Sequence, residues 1–111
     1  MIPSGNDVVR KLVILSQQLD AAQSEAAELG DAAVRAEGRA KVGFAKAFLS
    51  GDGSMEVRKH AALLATAEQQ LDAAIANEKA RAARERISVL RSQVEIARSI
   101  GAAQRAEFDA G

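Results

Sequence analysis

Ser50-Gly51-Asp52-Gly53-Ser54 (SGDGS) interrupts, close to its midpoint, a chain of 111 residues that is otherwise rich in alanine, leucine and charged side chains. Glycine accepts the backbone angles that end a helix, and Ser54 has the side-chain oxygen that caps the start of another, with Glu56 placed where the helix dipole favours an acid. A glycine-rich loop before a helix can also cradle a phosphate, but that chemistry needs a lysine directly after the last glycine, and Gly53 is followed by serine. SGDGS therefore predicts a turn between two helices.

The stretches on either side carry the matching periodicity. Asp7 is placed to cap a first helix that begins at Val8. Val8, Leu12, Leu15, Leu19, Ala22, Ala26, Leu29, Ala33, Ala36, Ala40, Gly43 and Ala47 follow at alternating steps of four and three, which is a continuous heptad seam. Its second half is mostly alanine and glycine, so a neighbouring helix can approach closely there. Gly30, Gly38 and Gly43 each cost a helix interior about 1 kcal/mol relative to alanine and are candidate bends. In the second helix Val57, Ala61, Leu64, Leu71 and Ile75 mark one seam, and after a phase shift Ala83, Ile87, Leu90, Val94, Ala97 and Gly101 continue it. The resulting expectation is an all-α single domain: a disordered N-terminus over residues 1–6, helix 7–49, turn 50–54 and helix 55–107, forming a long antiparallel, coiled-coil-like hairpin.

Composition says what such a hairpin lacks. Three phenylalanines are the only aromatic residues, and alanine buries little area, so a thick core is not available. Between residues 87 and 100 a second apolar row, Val89, Ile96 and Ile100, lies beside the seam residues Ile87, Leu90 and Val94. That face exceeds what one helix covers. Contact with a bent first helix is one reading; the absence of another layer favours an oligomer interface built from these six residues.

Fifteen basic residues balance fifteen acidic ones, so any affinity for nucleic acid needs a local patch. A fold-back at Asp52 sets residues whose numbers sum to about 104 side by side. Asp20, Glu25 and Glu28 then face the stretch holding Lys79, Arg81 and Arg84, which predicts cross-helix ion pairs. Arg84, Arg91, Arg98 and Arg105 recur every seven residues beside the seam, where charges choose partner and register. Near the turn the balance shifts, with four basic residues between 41 and 59 against two acidic ones, Asp52 and Glu56. Arg35, Arg39 and Lys46 share a stripe with Lys41 close by, and Arg58 and Lys59 open the second helix opposite; these six are the candidate DNA-binding residues. Multiplied in an oligomer, they could follow a phosphate backbone without reading sequence. Phe44 and Phe48 lie on adjacent turns, and Phe44 borders the seam, which favours core packing over base stacking.

Catalytic groups are not gathered anywhere in the pattern. With no cysteine and His60 as the one histidine, a usual zinc site cannot be completed, and neither a catalytic residue nor a cofactor is expected. No apolar run approaches the roughly 18 residues that cross a bilayer, and the start MIPSGNDVVRKLVIL lacks a signal-peptide layout. A soluble, cytoplasmic protein without membrane partners is the expectation.

From about residue 35 onward the chain resembles the UvsY family of phage recombination mediators. The resemblance rests on EGRAKVGFAKAFL (Glu37–Leu49), the SGDGSM turn and the ending RSIGAAQRAEFDAG. It implies a helical oligomer that binds single-stranded DNA nonspecifically. Such an oligomer helps load a RecA-like recombinase onto strands covered by single-strand binding protein, with no nucleotide hydrolysed, and acts in the host cytoplasm if phage-encoded. The family's basic Lys-Ala-Arg-Leu motif falls on Lys46, Ala47, Phe48 and Leu49. Phenylalanine stands where the family has arginine, so the implied DNA contact needs Arg39, Lys41, Arg58 or Lys59 to compensate. The competing expectation is a structural or adaptor coiled coil, such as a small virion assembly protein, whose charges only set helix pairing. A secreted helical hairpin of the WXG type ranks last, because the chain has no tryptophan.

Overall fold

The computed structural model describes residues 4–110. Among them the architecture is all-α: α1 (Gly5–Ser50), α2 (Met55–Ala65) and α3 (Ala67–Ala110), with no strand. Of the N-terminal segment expected to be disordered, residues 1–3 lie outside the described residues, while Gly5 and Asn6 are already helical. The helix starts earlier because Ser4, not Asp7, is its cap. The Asp7 N–H donates to Ser4 Oγ and the Ser4 N–H to Asp7 Oδ2, both at 3.2 Å, so Asp7 closes a reciprocal capping box from the first turn. α1 then runs unbroken through Gly30, Gly38 and Gly43.

The turn forms where expected. Ser54 caps α2, its Oγ accepting from the Val57 N–H at 3.3 Å, and Glu56 lies in the first turn. Gly53 has φ +97°, a conformation that L side chains rarely adopt. At the other side of the turn the carbonyls of Lys46, Ala47, Phe48 and Leu49 are accounted for. Ser50 Oγ donates to the carbonyls of Lys46 (2.9 Å) and Ala47 (3.3 Å), and the Gly51 N–H donates to that of Phe48 (3.3 Å). Arg58 supplies the rest, with Nε on the Phe48 carbonyl at 3.0 Å and Nη2 on that of Leu49 at 3.4 Å.

The single second helix of the sequence reading is instead two, divided at Thr66. Thr66 is buried, its Oγ1 donates to the Ala62 carbonyl at 2.8 Å, and its backbone leaves the helical region at φ −111°, ψ 15°. A hydroxyl bonded back onto the preceding turn competes with the helix ladder, which accounts for the break.

The chain packs as two compact units. One, the leucine unit, joins residues up to Glu25 with those from Ala83 onward, and is held by Leu15, Ala22, Leu90 and Ala97 with Leu12, Leu19, Ile87 and Val94 packed against them. Each buried leucine there contributes on the order of 2 kcal/mol. The other, the turn unit, spans Ala26–Ala82 and is built on alanine: Ala36, Ala40 and Ala73 with Ala76 against them. Every seam position expected on α1 is buried or half-buried. The far half of the second seam, from Ala83 to Gly101, also holds.

The near half of the second seam does not. Val57, Ala61, Leu64, Leu71 and Ile75 are exposed, and the inward positions are Arg58, Ala62, Thr66, Ala73, Ala76 and Ala80. The phase shift sits at Thr66, where steps of four give way to steps of three and four. Small residues on α1 select small residues opposite: a Cβ added to Gly43 would meet the Gln69 side-chain amide and lie 3.4 Å from Thr66 Cγ2. The helices approach too closely for leucine, so the large aliphatics are turned out.

Candidate nucleic-acid interface

The six basic residues proposed near the turn all belong to the turn unit, but they are not equivalent. Arg35 Nε donates to Asp31 Oδ2 at 2.8 Å, and this hydrogen bond, followed by the carboxylate's charge, raises the guanidinium pKa above its ordinary value. Lys41 Nζ lies 3.3 Å from Glu37 Oε1. Both pairs are exposed, join neighbouring turns of α1 and neutralise the cations locally.

Arg58 has a structural task. Its guanidinium caps α1 and lies 4.7 Å over the Phe48 ring centroid, while Phe44 stacks on Phe48 with centroids 6.2 Å apart and planes 20° apart. Phe48 thus carries an arginine and a second ring, and the cluster pins the turn. Arg58, expected as a DNA contact, is thus engaged with the end of α1.

Arg39, Lys46 and Lys59 remain. Each is exposed and forms no ion pair among the described residues. Arg39 and Lys46 are one heptad apart on α1, about 10.5 Å along the helix axis. They flank a shallow open groove of about 480 Å³ whose other walls are Gly38, Val42, Gly43 and Gln69. Gly38 has open space where a Cβ would stand, which lets a ligand approach the α1 backbone beside Arg39, whereas the corresponding space at Gly43 is taken by Gln69. Such an arrangement suits an extended polyanion, with the cations as point charges and no group that reads a base.

The charge elsewhere also departs from expectation. Helix contacts are offset from the predicted sum of about 104: Gly43 lies beside Thr66, Gly51 beside Arg58 and Gly101 beside Val8, each pair summing to 109. α1 extends through Ser50, so the fold-back is centred nearer Ser54 than Asp52. Among the described residues no ion pair joins Glu28 to Lys79, or Asp20 or Glu25 to Arg84. Cations instead reach carboxylates on their own helix, Arg81 to Glu78 at 2.7 Å and Arg98 to Glu95 at 3.2 Å, as His60 does to Glu56 at 3.6 Å. Of the arginines spaced by seven, Arg84, Arg91 and Arg105 are without an ion pair among the described residues.

The six residues expected at an oligomer interface divide in two. Leu90 is buried and Ile87 and Val94 half-buried against Leu15, so the chain's own core uses them. Val89, Ile96 and Ile100 are exposed. Among the described residues no group of histidine, cysteine, aspartate or glutamate could hold a metal ion, and no helix is long and apolar enough to cross a membrane.

No protein-family model matches the chain, and it matches no curated protein and no solved structure.

Proposed function

We propose that this chain is a single-stranded DNA-binding recombination mediator of the UvsY type. In this reading it acts in the cytoplasm as a homo-oligomer and helps load a RecA-like recombinase onto strands covered by single-strand binding protein. The observation that carries the reading is the trio Arg39, Lys46 and Lys59. These cations all belong to the turn unit, and Arg39 and Lys46 border an open groove. The resemblance from residue 35 onward points to the same part of the chain. Oligomerisation is supported by the exposed apolar row Val89, Ile96 and Ile100 on α3.

Binding of a fluorescent oligothymidine across a salt series tests the reading. Affinity should fall steeply with salt, and Arg39→Ala and Lys46→Ala should each flatten the log–log slope by about 0.7. No binding at low salt would reject it.

The structural or adaptor coiled coil is the second reading. It is favoured by the exposed Val89, Ile96 and Ile100 row and by the local pairing of Arg35 and Lys41. It expects the same oligomer with no affinity for the oligonucleotide, so one experiment separates the two.

A further inference from the structure

The steps of three and four that lead from Thr66 to Ala73 pass through Gln69, so a long polar side chain holds an inward position between small ones. It finds room because α1 opposes it with Gly43. A Cβ on Gly43 would collide with Gln69 Oε1 and would lie 3.2 Å from its Cδ. The carboxamide thus occupies the space that any other residue at position 43 would fill. Glycine weakens a helix interior, yet α1 runs unbroken through Gly43, so this glycine does not serve as a bend.

The seated amide is not spent on the protein. Oε1 is its atom nearest Gly43, which turns the NH2 away from the glycine. The side chain is exposed and has no hydrogen-bond partner among the described residues. Gln69 also lines the open groove with Arg39 and Lys46. Arg39, Gly43 and Lys46 follow one another at steps of four and three, on one face of α1. Gly43 is about 6 Å along the helix axis from Arg39 and about 4.5 Å from Lys46, within reach of both side chains. Two cations and one neutral N–H donor therefore converge on the same point, and a phosphate oxygen accepts from all three.

We propose that Gly43 is a seat for the Gln69 carboxamide, and that the seated amide donates to one phosphodiester of the bound strand, flanked by Arg39 and Lys46. Gly43 is then a positioning residue, and Gln69 a contact that the charge pattern does not reveal. The proposal rests on the single-strand reading above and adds to it a fixed phosphate point, which two mobile cations do not define. A neutral donor releases no counterion, so its contribution should be the same at every salt concentration.

Binding of fluorescent oligothymidine by the full chain across a salt series tests it, with Gln69→Ala, Gly43→Ala and the double variant. Gln69→Ala should weaken binding about three- to tenfold throughout and keep the wild-type log–log slope, whereas Arg39→Ala and Lys46→Ala flatten it. Gly43→Ala displaces the free end of a flexible side chain and should reproduce the loss, and the double variant should lose no more than either single one. Gln69 is exposed, so its truncation tests the contact whatever Gly43→Ala does to the fold. Wild-type affinity or a flattened slope for Gln69→Ala, or losses that multiply in the double variant, would overturn the proposal and leave the single-strand reading intact. A wild type that fails to bind at low salt would reject both.

Discussion

Replacing Arg58 by alanine separates a structural arginine from a ligand-binding one. The side chain is half-buried, donates to the carbonyls of Phe48 and Leu49 at 3.0 and 3.4 Å, and lies 4.7 Å over the Phe48 ring. A charge-assisted hydrogen bond contributes about 1.5 kcal/mol, discounted to about 1 for partial exposure. The longer bond adds little, and the cation–π contact contributes about 0.5–1 kcal/mol. The Arg58→Ala protein should therefore lose about 2 kcal/mol, a fall in thermal midpoint on the order of 10 °C for a chain of this length. Arg58→Lys keeps the charge without the planar fork and should recover less than half of the loss. Lys46→Ala removes an exposed side chain with no ion pair and should stay within about 0.5 kcal/mol of wild type. The assay is thermal unfolding followed by circular dichroism at one fixed protein concentration, since association alters the midpoint. A midpoint for Arg58→Ala within about 2 °C of wild type would refute the capping role.

Other substitutions probe the remaining arguments. Gly30 and Gly38 have open space where a Cβ would go, so Gly30→Ala and Gly38→Ala should each stabilise α1 by about 0.5–1 kcal/mol in urea unfolding; destabilisation would mean that a partner already fills that space. Among the described residues Leu15 is the one large side chain with no exposure, and Leu64 is 81% exposed. Leu15→Ala should therefore cost about 2–5 kcal/mol and Leu64→Ala about 0.5 at most, and similar losses for the two would contradict the observed seam.

What could be read from the sequence followed residue size. On α1 the largest apolar residues, Leu12, Leu15 and Leu19, coincide with the inward positions, so periodicity and hydrophobicity agree. On α2 and early α3 they conflict. Leu64, Leu71 and Ile75 attract a seam assignment, but the space opposite Ala36, Ala40 and Gly43 admits only Ala62, Thr66, Ala73 and Ala76. The alanine half of the α1 seam was the available signal, because a narrow partner surface requires small residues facing it. The candidate site divided for a different reason. Charge counts gathered six cations near the turn, but Asp31 and Glu37, each four residues before a cation, compensate Arg35 and Lys41. The role of Arg58 depends on where α1 ends, and composition alone does not fix that point.

The uneven distribution of side-chain size along the two seams gives folding order and final stability opposite polarities. Contacts around Ser50 to Ser54 join residues close in sequence, with little loop entropy to overcome, so the alanine-lined end should close first. Yet alanine contacts hold weakly once made. The leucine seam joins residues far apart in sequence, such as Leu15 and Leu90, and should close last while burying the larger side chains. In native-state hydrogen exchange the amides beside Leu15 should therefore be the slowest, and those around Ala40 and Ala73 should open by local fluctuations. The groove between Arg39 and Lys46 thus lies in the part of the chain that reshapes at least cost.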